Sequence, residues 1–347
     1  MAGFLGREEH HNVPHQLRIT SAIKERPIDM LRVLACMPHF FRRGAADSGM
    51  AHGSNSDTLE SRSEQFRYCL MQLTAVLEPD RFLMGSPGRI AHEQVEPMPQ
   101  SIAGEIMVVT VPENNLISEI SAPPSLNASI WSGHPRLLGY GCRRVFAHHV
   151  GQYDFYLFIE DDTTILDPSF FRKIAAFYRA HGEDRILLPN RFEIFGPSHH
   201  GWRAYLDQPA FPNHRAPERP GPAELTLPSF DGDVLFRKTT DGIAGAYIIT
   251  DGQLRRWMVQ ADFHAPAPAA LAAGLDPLEL TQTPLGGSLP IYRPAPQNLD
   301  FLEVHHVPNR LSALEAPSSK LRGYINPVLQ ERFARMRAKA SHPPPQD

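Results

Sequence analysis

Along the first half of the chain, short unbroken apolar runs alternate with stretches whose apolar positions recur every three to four residues. Leu31-Arg32-Val33-Leu34-Ala35-Cys36-Met37 reads as a buried strand ending at Pro38, and Ile106-Met107-Val108-Val109-Thr110-Val111 as a second. Between them Phe66, Leu70, Leu73 and Val76 share one helical face over 59–77, with Glu60, Arg62 and Arg67 off that face. Residues 133–150 predict another helix, opened by Pro135 and carrying Leu137, Leu138, Val145 and Phe146. The run YDFYLFI at 153–159 predicts a third strand, which passes directly into Glu160, Asp161 and Asp162. Pro168 then opens an amphipathic helix over 168–181 that turns Phe171, Ile174, Ala175 and Tyr178 inward. Further strands are predicted at 185–189, at 243–250 (IAGAYIIT, followed by a helix over 252–260) and at 301–306.

The remainder lacks a period. Residues 1–29 are polar and read as an N-terminal extension, with Met30 suited to be a start; 42–58 is a Gly/Ser/Asn/Asp-rich loop. Residues 196–241 look irregular and rich in Pro, His and aromatics, 264–274 is Ala/Pro-rich, and 338–347 reads as a flexible tail. Alternating strands and helices predict an α/β fold with a mostly parallel central sheet flanked by helices and long Pro-rich loops. One domain over 30–337 is expected, its first half about 30–190 and its second about 191–337. In such sheets ligands sit beyond the carboxyl ends of the strands, where Glu160, Asp161 and Asp162 fall.

Composition narrows the function classes. The 347 residues carry 34 Lys plus Arg against 38 Asp plus Glu, a formal net charge of −4, which argues against a basic grip on nucleic acid. Three cysteines at unrelated spacings, Cys36, Cys69 and Cys142, form neither a disulfide framework nor a CxxC zinc site, so a reducing compartment is expected. No apolar run approaches the roughly 18 residues that span a bilayer. The first twenty residues lack the apolar stretch of a signal peptide. A cytoplasmic protein, free or peripheral to a membrane, is expected.

Three adjacent carboxylates beside a packed core repel one another unless a cation compensates them. A hard divalent ion, Mg²⁺ or Mn²⁺, suits them; Mg²⁺ takes one or two carboxylates plus substrate phosphates, which points to a nucleotide. The alternative is a solvated strand end whose acids, with Asp167-Pro168, cap the next helix.

The segment YDFYLFIEDDTTILDPSFF resembles the DXD segment of metal-dependent glycosyltransferases with the GT-A fold. The resemblance implies a GT-A-like fold whose first half binds the donor and whose second half binds the acceptor. It implies Asp162 as main metal ligand, Glu160 facing the ribose or a metal-bound water, and Asp161 supporting both. IAGAYIITDGQLRRWM resembles the acceptor-side strand and helix of that superfamily, which places Asp241, Gly242 and Gly245 beside the acceptor. The late VHH resembles its third metal ligand, so His305 or His306 would close the site. The same resemblance puts the catalytic base after the acceptor helix, at Glu279 or else Asp276. Asp231, Asp233 and Asp241 are further candidates.

The expected reaction moves a sugar from a nucleotide-sugar donor to a hydroxyl of a saccharide, lipid-linked or other acceptor. Trp202, Tyr205 and Phe211 would stack on a sugar or pin their loop to the body. Arg62, Arg67, Arg136, Arg143, Arg144 and Arg310 are either solvated or phosphate contacts. Alternatives are a nucleotidyltransferase acting on a sugar phosphate, a hydrolase using the histidines, and a silent binding protein of similar fold.

Overall fold

The computed structural model describes residues 30–42, 58–78, 81–86, 89–94, 102–120, 126–195, 202–206, 225–230, 232–239, 242, 244–264 and 289–307. In chain order the elements are β1 (Leu31–His39), α1 (Leu59–Leu77), β2 (Arg81–Ser86), β3 (Arg89–Gln94), β4 (Ile102–Thr110), β5 (Leu126–Ile130), α2 (Leu138–His148) and β6 (Phe155–Ile159). There follow β7 (Thr163–Thr164), α3 (Phe170–His181), β8 (Ile186–Leu187), β9 (Asn190–Phe195), β10 (Trp202–Tyr205), β11 (Leu225–Ser229), β12 (Gly232–Thr239), β13 (Ala246–Thr250), α4 (Asp251–Met258), β14 (Ile291–Pro294) and β15 (Glu303–His306).

The central sheet runs β13-β6-β1-β4-β5. β1 lies parallel to both β4 and β6, β4 is parallel to β5, and only β13 is antiparallel, to β6. The expected α/β class with a mostly parallel sheet is therefore what the chain builds. Both faces are covered over β6, β13, much of β1 and the second half of β4, so these runs are mainly apolar rather than alternating, while the edge strand β5 is largely exposed. On one face Val33, Ala35, Leu157 and Ile248 pack with Phe66 and Leu70 of α1 and Phe171 and Ile174 of α3. On the other, Leu34, Cys36, Tyr156 and Tyr247 pack with Cys142 and Phe146 of α2 and Leu254 and Trp257 of α4. Thr58 caps α1 by accepting from the Ser61 N–H, and Thr250 and Gln253 close a reciprocal capping box that starts α4.

Two smaller sheets, β10-β9-β15-β7 and β11-β12-β14-β8, are built mostly from the second half, with β7 and β8 contributed by the first. Here the sequence reading is corrected: 196–241 is not irregular throughout, since β10, β11 and β12 lie inside it. Val234 and Phe236 are buried on alternate positions of β12, a period-two pattern set in Pro- and Gly-containing flanks. β14 likewise lies where the sequence reading marks no strand. Arg62 is also corrected: it is not on a solvated face but 2% exposed. Residues 1–29 and 338–347 lie outside the described residues, as do Arg310, Phe211 and Asp231. No helix among the described residues is long and apolar enough to cross a membrane.

Gly104 marks a close approach of α1 to β4. A Cβ there would lie 2.5 Å from Leu77 Cβ, 2.6 Å from its Cδ2 and 2.8 Å from its Cγ, and Leu77→Ala removes the last two. Gly104→Ala is expected to destabilise the chain by about 1–3 kcal/mol through overpacking. In urea unfolding, the double variant with Leu77→Ala should lose less than the sum of the two single losses; strict additivity would show that α1 does not press on β4 at this point.

Candidate active site at the carboxyl edge of the central sheet

Because β1, β4 and β6 are parallel, their carboxyl ends emerge at one edge: His39, Thr110 and Glu160. β13 enters from the same edge, after Gly245. The chain turns immediately after β6, with the Thr163 N–H donating to the Glu160 carbonyl at 3.0 Å. That turn sends three consecutive carboxylates to different partners.

Asp161 faces inward. Its Oδ2 lies 2.6 Å from Arg62 Nη2 and 2.6 Å from His39 Nδ1. The Leu116 N–H donates to His39 Nε2 at 2.9 Å, so Nδ1 carries the proton and donates to Asp161. The His39 ring stacks on Phe66 with centroids 3.9 Å apart. Burial pushes the Asp161 carboxyl up, but Arg62 and the His39 hydrogen bond outweigh it and hold it below the ordinary range.

Asp162 and Glu160 face the second half of the chain. β7 pairs with β15 so that His306 lies opposite Thr163, and the Val307 N–H donates to the Asp162 carbonyl at 2.8 Å. This places His306 Nε2 3.4 Å from Asp162 Oδ2, while His306 Nδ1 lies 2.5 Å from Glu193 Oε1 of β9. Burial pushes the His306 imidazole down, yet its hydrogen bonds to Asp162 and Glu193 lift it to about 9. Packing pushes the Glu160 carboxyl up, and the Asp162 charge adds to this; Arg191 and His306 draw it partly back. Gly245, at φ +64°, lies against the acids: a Cβ there would come within 3.1 Å of both Glu160 Oε2 and Thr163 Oγ1. Its carbonyl accepts from the Glu160 N–H at 2.9 Å.

The structure thus gathers Glu160, Asp161, Asp162, His306 and Gly245. His305 lies on the other face of β15 and stacks on Phe192 at 5.0 Å. Gly242 is buried ahead of β13, and Trp202 opens β10. Glu279, Asp276 and Asp241 lie outside the described residues. Tyr205 donates to Glu303 at 3.0 Å, on a face that also holds Arg203. Arg143 is buried between the rings of Tyr140 and Trp257, which makes it a packing residue. Sequence reasoning missed His39, Arg191 and Glu193. His39 closes a buried strand, which is a usable signal, whereas the two on β9 carry no local one.

Oxygen-rich donors with one imidazole suit Mg²⁺ or Mn²⁺. Among the described residues, no group of three His, Cys, Asp or Glu side chains is already arranged to hold a metal ion. Asp162 and His306 offer a two-ligand edge, to which the oxygens of a bound ligand could add.

No family model and no curated protein matches the chain. Among solved structures, it is similar to S. aureus TarS 1-349 in complex with UDP (12% identity, TM-score 0.40), over 76% of this chain and 57% of that one. The chain therefore spans little more than half the length of that neighbour. It is also similar to a CMP:2-keto-3-deoxy-manno-octonic acid synthetase complexed with CTP (10% identity, TM-score 0.34, 82% of this chain and 96% of that one). A third likeness is to mannose-1-phosphate geranyltransferase from Thermus thermophilus (11% identity, TM-score 0.32, 77% and 74%).

The folded chain holds the His306 proton more tightly than the unfolded chain does. Its stabilising contribution is therefore complete below about pH 6.5 and is lost as pH rises through about 9. In metal-free buffer, the stability gap between wild type and His306→Gln, read from urea midpoints, should narrow between pH 6.5 and 9. A gap constant over that window contradicts a charged imidazole between two carboxylates.

Proposed function

We propose that the chain is a metal-dependent glycosyltransferase that moves a sugar from a nucleotide-sugar donor to an acceptor hydroxyl. The observation that carries this reading is the pairing of Asp162 with His306 at the carboxyl edge of a parallel sheet, inside a segment resembling the DXD segment. Glu193 on the far nitrogen of His306 adds support, since metal-bound histidines commonly donate their other N–H to a carboxylate.

Asp162 and His306 Nε2 would hold Mn²⁺ or Mg²⁺, with Glu160 beside them. Such an ion supplies charge neutralisation for a departing nucleoside diphosphate. The chain's own part is positional. Asp161, tied to Arg62 and His39, fixes the turn so that Glu160 and Asp162 keep their places. Gly245 brings backbone against Glu160 where a side chain would crowd the acids. Arg191, next to Glu160, would add positive charge toward a bound diphosphate. Glu279 or Asp276 would take the proton of the acceptor hydroxyl. Trp202, Asp241 and Gly242 would border the acceptor, a saccharide, lipid-linked or other alcohol.

The test is a thermal-shift screen of UDP- and GDP-sugars, and of nucleoside triphosphates, with and without Mn²⁺. A donor at a hundredfold its Kd stabilises by about 2.7 kcal/mol, which raises Tm by several degrees. That rise should require Mn²⁺ and vanish in Asp162→Asn. Asp161→Asn should instead lower Tm of the ligand-free chain. No response to any nucleotide sugar overturns the proposal, and a response to nucleoside triphosphates alone favours nucleotidyl transfer.

A further inference from the structure

Glu193 sits on β9 at 2% exposure, where a carboxylate persists only if something holds it. Register explains what does. β9 and β15 run parallel, with Arg191 opposite Val304 and Phe192 opposite His305. Continuing that register sets Glu193 beside His306 and on the same sheet face as Arg191, while Phe192 and His305 share the other face. Glu193 Oε1 accepts from His306 Nδ1 at 2.5 Å, across 113 residues of sequence. An imidazole anchored at Nδ1 can no longer spin about its Cβ–Cγ bond, and its remaining nitrogen is aimed in one direction. Here that direction is Asp162, with Nε2 3.4 Å from its Oδ2.

We infer that Glu193 is a positioning residue: it clamps the His306 ring so that Nε2 and the Asp162 carboxylate form one ligand edge for a divalent cation. This rests on the glycosyltransferase reading for the identity of the ligand, but the clamp itself is a property of the free chain. Neither residue needs to touch the sugar. When a cation displaces the Nε2 proton, the Glu193 carboxylate keeps accepting from Nδ1 and makes the neutral ring a better donor of its Nε2 lone pair than a ring held by a neutral group.

The test uses the full chain and two readouts. The first is Mn²⁺ alone, titrated by electron paramagnetic resonance into wild type, Glu193→Gln and Glu193→Ala. Loss of such a supporting contact typically weakens metal binding by about 10–100-fold. That loss is expected for Glu193→Ala, with Glu193→Gln, which keeps an acceptor, falling in between. A folded Glu193→Ala that binds Mn²⁺ like wild type overturns the inference; if that variant does not fold, Glu193→Leu, closer in volume, takes its place. The second readout is the ¹H signal of His306 Nδ1 in metal-free protein, assigned by its absence from His306→Gln. It should lie far downfield in wild type and move upfield in Glu193→Gln. An unmoved signal overturns the inference without reference to any metal. Should wild type bind no Mn²⁺ while this signal shifts as expected, the metal reading of the site fails and the clamp stands.

Discussion

The structure at the carboxyl edge depends on one constraint: three successive carboxylates must leave a fully buried strand without facing one another. Like charges so close to a packed core cannot all remain ionised unless each finds its own compensation. The turn after β6 meets this by divergence. Asp161 goes to Arg62 and His39, on α1 and β1 of the first half; Asp162 goes to His306, on β15 of the second; Glu160 lies by Arg191 and the Gly245 backbone. The acids therefore tie the two halves of the chain together at the point where a ligand would bind. Asp161 is committed to the fold, while the side chains of Asp162 and Glu160 face the second half of the chain.

The same division explains why Arg62 is buried. A guanidinium on a helix that otherwise packs through Phe66, Leu70 and Leu73 is costly unless it meets a carboxylate, and Asp161 lies 2.6 Å away. His39 adds a neutral donor rather than a second charge, because the Leu116 N–H occupies its other nitrogen. The stacking of His39 on Phe66 shows how the polar contact is set into the apolar layer rather than beside it.

Much of the first half was legible in the sequence. β1, β6 and the second half of β4 are covered on both faces, so each appears as a mainly apolar run, and α1 and α3 carry a clear helical face. The smaller sheets were harder to read. Their strands are short, antiparallel in part, and interrupted by Pro228, Gly232 and Pro294, so they resemble loop. Of the site, the acids were legible because they are contiguous and abut a strand. Their partners were not: Asp161 and His39 are 122 residues apart, and His306 and Glu193 are 113 apart, a relation that sheet register fixes and local pattern does not. Nothing in ESRSEQFRY marked Arg62 as buried, because its partner lies on another element.

The most direct measurement is anomalous diffraction at the manganese edge from crystals grown with Mn²⁺ and a nucleoside diphosphate. The expected result is one peak about 2.1 Å from an Asp162 carboxylate oxygen and from His306 Nε2, with Asp161 still paired to Arg62 and His39. A peak away from this edge, or one bound by Asp161 after it has left Arg62, would contradict the division of labour among the three acids.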